Sequence, residues 1–320
     1  MLGFPPEIAP FPAPDSQADP PLRWEECDCL LCGSGRWQII LEAPAHPERA
    51  DLRFAVTRCA DCGLVFTNPR PTADSLGRFY PDNYAPHRPA RAKAAGFWQR
   101  LARRLWPRRA PIPWHGEGRL LDFGCGGGSF LARMRDCGCR VTGVDASAAA
   151  VERVRARTGL RVLAGSLPHP GLAPGGFDVV TMWHALEHVP DPKAVLRAAR
   201  RLLTATGRLY VAVPNIDSLA FRVFGPDWFA LDLPRHLTHF TPRTLALMLE
   251  QTGFQVERIR MVRTSAWLRH SARLACRVPQ PRRLHRWLRT KWLSRLTAAY
   301  SCLTGQSDCI LATAVPHADR

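Results

Sequence analysis

Short apolar runs alternate with amphipathic segments over the C-terminal two thirds of the chain. Helical periodicity predicts helices at 129–138, 147–158 and 192–203. The apolar runs predict strands at 119–123, 140–144, 161–164, 177–182, 207–215, 254–261 and 308–315. The run at 177–182 lacks polar alternation, as expected of a central strand that is covered on both faces. This order predicts an α/β fold with a doubly wound, mostly parallel seven-stranded sheet.

The turn between the first of these strands and its helix is rich in glycine. It runs from Asp122 to Gly128 and has glycine at 124, 126, 127 and 128. Glycines are needed where the backbone takes a positive φ or approaches a ligand, and the N–H groups of the next helix face such a turn. The second strand ends at Asp145, 21 residues (145 − 124) after Gly124, where nucleotide-binding units place an acid for ribose hydroxyls. The sheet is therefore predicted to be Rossmann-like and to bind a nucleoside.

The identity of that nucleoside follows from the glycine spacing and from Asp122. A dinucleotide fingerprint is G-x-G-x-x-G, and here the third glycine comes one residue early. A carboxylate beside the turn would repel a diphosphate but attract a sulfonium that carries an amino group, so S-adenosylmethionine (SAM) fits better than NAD. The predicted cofactor-binding residues are Asp122, Gly124, Cys125, Gly126, Gly128, Asp145, Ala146, Ser166, Trp183 and His184.

Two Cys-x-x-Cys-Gly segments stand in the N-terminal part of the chain. In each of them the glycine lets the backbone turn so that N–H groups point at the thiolates. Cys29, Cys32, Cys59 and Cys62 can surround one tetrahedral Zn²⁺ with no open position, which is typical of a structural site. The residues between the two segments suffice for a pair of strands, so a zinc ribbon is predicted. Cys27 is an alternative to Cys29 and is treated as a spare thiol, and coincidental buried thiols are the other interpretation.

Composition divides the chain into four parts. We expect a disordered proline-rich tail at 1–24, the zinc ribbon at 25–70, a lid or linker at 71–115, and the nucleoside-binding domain at 116–320 with a basic insertion at about 262–307. No apolar run reaches 18 residues, and the N-terminus lacks the charged-then-apolar pattern of a signal peptide. The expected location is the cytoplasm.

The net charge of +17 implies an anionic partner. Basic amphipathic helices with tryptophans are predicted near 97–106 and 282–296. Such helices bind anionic membrane surfaces peripherally, here at the inner face of the membrane. RNA is the rival partner. A lid helix packed on its own domain, or a merely solvated basic face, is the plainer interpretation.

Four further segments resemble class I SAM-dependent methyltransferases with an N-terminal zinc-binding domain. This group includes deoxysugar C-methyltransferases and enzymes of polysaccharide and lipid pathways. The segments are Asn68–Pro71, Tyr80–Tyr84, Leu186–Pro192 and Pro234–Pro242. The resemblance implies methyl transfer from SAM to a small-molecule acceptor. The acceptor classes that it implies are a saccharide and a lipid-linked saccharide.

The same resemblance implies roles for particular side chains. His236 takes the position of a base in the sugar C-methyltransferases, and His188 is the second candidate. Arg235 stands where that family has an acid, and Ser166 where many relatives have one. Tyr80 and its neighbours are implied to cover the cofactor.

Two other functions compete with this hypothesis. The first is an RNA methyltransferase with a zinc ribbon. It is less favoured because no Asn/Asp-Pro-Pro-Tyr/Phe loop follows the fourth strand and no Pro-Cys pair supplies a nucleophile. The second is a non-catalytic scaffold with the SAM fold, against which the complete set of glycines and both acids argues.

Overall fold

The computed structural model describes residues 22–45, 52–80, 118–277 and 282–317. Residues 1–21 of the predicted tail, Tyr84 and the predicted helix near 97–106 lie outside these residues. The last residue of the predicted tail, Trp24, lies in a short strand. Within them, no helix combines the length and apolar character needed to cross a bilayer.

The N-terminal part is built of short strands. They are β1 (Trp24–Glu25), β2 (Trp37–Pro44), β3 (Arg53–Cys59), β4 (Val65–Thr67) and β5 (Arg70–Pro71), followed by the short helix α1 (Ala73–Leu76). Strands β2 and β3 form the antiparallel pair expected between the two cysteine segments. Strand β3 pairs in turn with β4.

The larger part alternates strands and helices. Its strands are β6 (Arg119–Phe123), β7 (Arg140–Asp145), β8 (Arg161–Ala164), β9 (Phe177–Trp183), β10 (Leu203–Pro214), β11 (Thr238–His239), β12 (Phe254–Val262) and β13 (Cys309–Pro316). Its helices are α2 (Ser129–Arg135), α3 (Ala148–Thr158), α4 (Pro192–Leu202), α5 (Leu219–Phe224), α6 (Pro242–Gln251), α7 (Ser265–Ala275), α8 (Arg283–Leu288) and α9 (Lys291–Leu303).

Seven of these strands form one sheet in the order β12-β13-β10-β9-β6-β7-β8. The contacts of β6 with β7 and β9, of β7 with β8 and of β9 with β10 are parallel, whereas β13 runs antiparallel to both β10 and β12. This confirms the predicted doubly wound, mostly parallel seven-stranded sheet. Ligands of such sheets bind at the carboxyl ends of the parallel strands.

The apolar runs are continuous because both faces of the sheet are buried. Leu121 and Val180 lie in the cluster that packs against α4 and α6. Leu120 and Val179, one residue earlier on the same strands, lie in the cluster that packs against α2 and α3. Successive side chains of a strand point to opposite faces, so a strand covered on both sides needs no polar alternation.

The two parts of the chain share a second, four-stranded sheet. Its order is β11-β4-β3-β2, so a strand from residues 238–239 completes a sheet made otherwise by the N-terminal part. Thr238 pairs with Phe66 and His239 with Val65. The sequence pattern did not predict β11, because two residues are too short for any periodicity.

The helix predicted at 282–296 is two helices. Thr290 is extended (φ −76°, ψ 142°) and separates α8 from α9. Leu284, Leu288 and Leu296 recur at multiples of four residues, as on one helix face, but Leu288 is buried whereas Leu284 and Leu296 are exposed. The expectation of one continuous amphipathic helix was therefore wrong. Helices α7, α8 and α9 together occupy the stretch between β12 and β13.

Candidate functional site

The glycine turn adopts the backbone conformation that its sequence predicts. Gly124, Gly126 and Gly128 have φ values of +72°, +50° and +71°. A Cβ on Gly124 would lie 2.5 Å from the Cβ of Ala185, and one on Gly128 would lie 2.7 Å from a methyl of Val154. Both the positive φ and the close packing therefore require glycine. The turn lies at the carboxyl end of β6, with Cys125 buried within it.

Two buried carboxylates flank this turn. Asp122 Oδ1 accepts a hydrogen bond from Thr181 Oγ1 at 2.7 Å. The pKa of Asp122 is raised to about 7, chiefly by burial; the Thr181 hydrogen bond lowers it and the nearby charge of Asp145 raises it. Asp145 accepts hydrogen bonds from Gly126 N at 2.8 Å and from Ser147 N at 2.9 Å. The turn is thus flanked by two carboxyl groups, which a cationic ligand would hold in the ionised form and a diphosphate would not.

The other residues predicted to bind the nucleoside lie at the same edge of the sheet. Ala146 directly follows Asp145 and is exposed. Ala164 of β8 pairs with Asp145, and this register places Ser166, two residues on, beside β7. Trp183 ends β9 and its ring packs edge-on against Phe130, with centroids 5.3 Å apart.

His184 and the buried Glu187 form a pair directly after β9. His184 has a positive φ of 53°, which is uncommon for a residue other than glycine. Its Nδ1 lies 3.4 Å from Glu187 Oε1 and its Nε2 lies 3.9 Å from Cys309 Sγ. Burial alone would lower the pKa of His184, but Cys309 and Glu187 outweigh it and raise the pKa to about 10. Glu187 is fully buried, and neither of its carboxylate oxygens has a hydrogen-bond partner among the described residues.

His188 and His236 meet beside this pair. Their rings are nearly perpendicular, with centroids 4.5 Å apart. His188 Nδ1 lies 2.9 Å from the Tyr80 hydroxyl and 3.0 Å from the carbonyl of Arg235. One carboxylate oxygen of Glu187 and one nitrogen of each ring lie within 4.8 Å of one another. The structure therefore brings together both histidines singled out from the sequence, and it adds Glu187 to them.

The protonation of His236 follows from its partners. Its Nδ1 lies 2.9 Å from the carbonyl oxygen of Ala230, which can only accept, so Nδ1 carries the proton. Burial lowers the pKa of His236 well below its ordinary value, and the neighbouring His188 and His239 lower it further. His236 is therefore neutral at neutral pH. Its Nε2 carries the lone pair and lies 3.8 Å from Asp232 Oδ2.

Asp232 is a site residue that the sequence analysis missed. Arg235 occupies the position of the acid expected before the histidine, and its Nε lies 3.1 Å from both carboxylate oxygens of Asp232. Asp232, Arg235 and His236 are all largely buried at the side chain. A carboxylate thus reaches His236 from four residues upstream. The available signal was that spacing, which brings side chains together in a tight turn.

The N-terminal part holds the backbone around His236. Thr67 Oγ1 donates to the carbonyl of His236 at 2.8 Å, and Thr67 N donates to the carbonyl of Leu237 at 3.0 Å. The same hydroxyl lies 3.1 Å from His239 Nε2. Burial lowers the pKa of His239 to about 3. His239, a further histidine near the predicted base, therefore links β11 to β4.

The four cysteines predicted to bind zinc lie together. Their sulfur atoms are all within 4.8 Å of one another, at 3.4 Å for Cys29 and Cys62 and 3.5 Å for Cys32 and Cys59. Bonds of about 2.3 Å to a tetrahedral Zn²⁺ place sulfurs roughly 3.8 Å apart, so the set fits the metal. Backbone N–H groups two and three residues after Cys29 and Cys59 point at those sulfurs. Cys27 is not part of this group.

Comparisons with known proteins agree with this geometry. The family model for the methyltransferase domain matches residues 90–259. A relative from Xanthomonas euvesicatoria, named ubiquinone biosynthesis O-methyltransferase, is 36% identical over 171 residues, which cover 50% of this chain and 71% of the relative. A protein of the same name from Pseudomonas aeruginosa is 35% identical over 153 residues, covering 44% of this chain and 66% of that protein.

Among solved structures, an S-adenosylmethionine dependent methyltransferase from Mesorhizobium loti is 21% identical, covers 64% of this chain and 93% of its own, and superposes with a TM-score of 0.46. The fold is identified from the strand order of the seven-stranded sheet and not from this superposition. The family match, the seven-stranded sheet and the acid-flanked glycine turn agree with one another. The chain belongs to the methyltransferase domain family and is a class I SAM-dependent methyltransferase.

Proposed function

We propose that this methyltransferase acts on a small-molecule acceptor, a saccharide or a lipid-linked molecule, with His236 as the general base. The observation that carries the proposal is the neutral His236, whose Nε2 lone pair lies among buried polar groups beside the strand ends that flank the glycine turn. Relatives named ubiquinone biosynthesis O-methyltransferase support a small-molecule acceptor and favour oxygen as the methylated atom.

In this proposal SAM occupies the glycine turn. Asp122 attracts the positive charge of the donor, and Asp145 accepts hydrogen bonds from the ribose hydroxyls. The exposed residues Ala146 and Ser166 flank the adenine. The site is completed by Gly124, Cys125, Gly126, Gly128, Trp183 and His184.

The reaction requires alignment and removal of one proton. The sulfonium methyl is a strong electrophile, so most of the rate comes from holding the acceptor oxygen in line with it. The oxygen–carbon bond forms as the carbon–sulfur bond breaks, leaving S-adenosylhomocysteine. The acceptor proton moves to His236 Nε2. Asp232, whose carboxylate lies 3.8 Å from that nitrogen, stabilises the imidazolium that results.

His236→Ala tests the assignment of the base. We expect methyl transfer to be abolished, while the dissociation constant of SAM, measured by calorimetry, changes by no more than a few fold. His317→Ala, in an exposed residue near the C-terminus, is the matched control. Full activity of His236→Ala with His188 intact would remove the assignment, and loss only in His188→Ala would transfer the role to His188.

The cluster of Glu187, His188 and His236 supports a second candidate role. One carboxylate oxygen and two imidazole nitrogens within 4.8 Å suit a divalent cation. The buried Glu187 carboxylate accepts no hydrogen bond among the described residues, although its Oε1 lies 3.4 Å from His184 Nδ1. Activity that disappears with a chelator, returns with added metal and is insensitive to Cys32→Ser would favour a cation at this cluster. Activity unaffected by the chelator would favour the proton-transfer role.

We further propose that Cys29, Cys32, Cys59 and Cys62 hold a structural Zn²⁺ and that the chain divides at about residues 24, 70 and 115. All four sulfurs would be ligands, which leaves no open position for catalysis. The N-terminal part would then be a zinc ribbon whose hairpin positions the segment containing His236.

An RNA acceptor is the alternative that the charge of +17 supports. A gel shift with RNA and a sedimentation assay with anionic vesicles, performed at the same salt concentration, distinguish an RNA partner from a membrane partner.

We propose peripheral attachment at the inner face of the membrane, with the enzyme otherwise in the cytoplasm. A non-catalytic scaffold would bind SAM in calorimetry but transfer no methyl group to any acceptor.

A further inference from the structure

Large apolar side chains exposed to solvent are concentrated on two neighbouring helices. Among the described residues, those exposed are Ile39 and a group of six on α8 and α9, namely Leu284, Trp287, Trp292, Leu296, Tyr300 and Leu303. The exposed fractions reach 63% for Trp287, 62% for Trp292 and 85% for Leu303. A contiguous group of this kind marks an interaction surface, whereas single exposed apolar residues are ordinary.

Helix α9 has a buried face of small residues and an exposed apolar face. Ser294, Ala298 and Ser301 are buried against the protein. Trp292, Leu296 and Leu303 are exposed and follow a spacing of four and seven residues, so they also share one face. Positions 294 and 296 differ by about 200° around the helix axis, which places the exposed face opposite the buried one. The exposed apolar face is therefore not the edge of the core.

This face is surrounded by positive charge. Between residues 258 and 307 the sequence has twelve Lys or Arg residues and no Asp or Glu. Those on and beside the two helices are exposed, namely Arg282, Arg283, Arg286, Arg289, Lys291 and Arg295. Tryptophan, tyrosine and leucine bordered by arginine and lysine are the composition of helices that lie in a membrane interface.

We propose that α8 and α9 form an interfacial anchor that binds an anionic phospholipid bilayer, with the six apolar side chains at the headgroup–acyl boundary and the basic residues on lipid phosphates. This deepens the proposed function by naming the partner surface and its residues. The exposed leucines would contribute little to the affinity for RNA. A bilayer would bind both the leucines, in its apolar region, and the basic side chains, at its phosphates.

The anchor is connected to the site through α7. The ring of Trp267 on α7 lies 4.9 Å from that of His184. Ser271 on the same helix accepts a hydrogen bond from Phe229 N at 2.9 Å, close to Ala230, whose carbonyl holds His236. On the anchor side, Arg269 Nη1 donates to Ser294 Oγ of α9 at 3.1 Å. One helix thus joins the membrane-facing surface to the segment that carries the histidines.

Vesicle sedimentation tests the anchor. The full chain is mixed with vesicles of phosphatidylcholine alone or of phosphatidylcholine with phosphatidylglycerol, and the bound fraction is measured at low and high salt. We expect binding only to the anionic vesicles and weakening by salt. The triple substitution Trp292→Ser, Leu296→Ser and Leu303→Ser should weaken binding by at least about tenfold. Ile39→Ser, at the other exposed apolar position, should bind as the unchanged protein does.

Three results would overturn the proposal. The first is equal vesicle binding by the triple variant and the unchanged protein, and the second is equal binding to neutral and anionic vesicles. The third is a lipid-free dimer of the unchanged protein that becomes a monomer in the triple variant, which would show that the face joins two copies of the chain. SAM calorimetry on the same preparations separates this outcome from failure of the enzyme itself. The triple variant should retain SAM affinity and its circular dichroism spectrum, because all three side chains are exposed.

Discussion

At the residue scale, the site is defined by how burial sets the charge of each group. Asp122 and His236 are both buried, and in each case burial favours the neutral form. For His236 neutrality is what a base requires. For Asp122 it means that the ligand-free protein holds a proton that a cationic ligand would displace.

Asp122 should make both stability and SAM binding depend on pH. Its pKa of about 7 in the folded protein lies above its ordinary 3.8, so its contribution to stability is present below pH 3.8 and is lost as pH rises through 7. As the pH rises from 5 to 8, the melting temperature of the ligand-free Asp122→Asn variant should rise relative to that of the unchanged protein. A pH-independent difference between the two proteins would contradict this.

The same carboxylate should tighten SAM binding as it ionises. We expect the affinity for SAM to rise with pH up to about 7 and binding below that pH to release a proton. Asp122→Asn should lose this dependence and bind SAM at least about tenfold more weakly, because a charge-assisted contact is removed. Calorimetry in two buffers of different ionisation enthalpy measures the proton release, and absence of release would refute the assigned contact.

At the element scale, the strands of the seven-stranded sheet and its mostly parallel character were predictable, whereas the strand order and the loops were not. Continuous apolar runs such as Phe177–Trp183 and the glycine turn define a parallel sheet without ambiguity. Strand β11 and the break at Thr290 depend on tertiary pairing, which no local pattern records. Asp232 differs from these two, because its spacing of four residues from His236 was a signal, but its left-handed backbone conformation is not visible in the sequence.

Pairing of β4 with β11 should matter for catalysis. Thr67→Val removes the hydroxyl that donates to the carbonyl of His236, and we expect kcat to fall by about tenfold or more because the base is displaced. Thr67→Ser keeps the hydroxyl and should restore kcat. SAM affinity should be unchanged in both variants. A fall in melting temperature with normal kcat would show that Thr67 has only a structural role.

At the scale of the whole molecule, the cysteine cluster is connected to the site through the small sheet. Cys59 ends β3, and β3 pairs with β4. Strand β4 pairs in turn with β11, which begins two residues after His236. Lys193 of α4 also donates to the carbonyl of Leu31 between the first two cysteines. Disturbing the cluster is therefore expected to reach both parts of the chain.

Removing the metal should destabilise the whole enzyme. We expect the purified protein to contain about one zinc ion per chain and Cys32→Ser to lose it, with the melting temperature falling by at least about 5 °C. Cys27→Ser, outside the cluster, should keep both zinc and stability. Elemental analysis and thermal melting measure the two quantities, and loss of zinc in Cys27→Ser instead would reassign the ligand set.

The family match covers residues 90–259 and so leaves out all five N-terminal strands, although three of them form one sheet with β11. A fragment that begins at residue 118 would expose the backbone edge of β11 and leave Thr238 and His239 without their ladder partners. Recombination between relatives cannot then exchange the front and back of such a gene freely. We expect a chimaera of two relatives joined near residue 118 to fold only where the N-terminal part of one pairs with the β11 segment of the other.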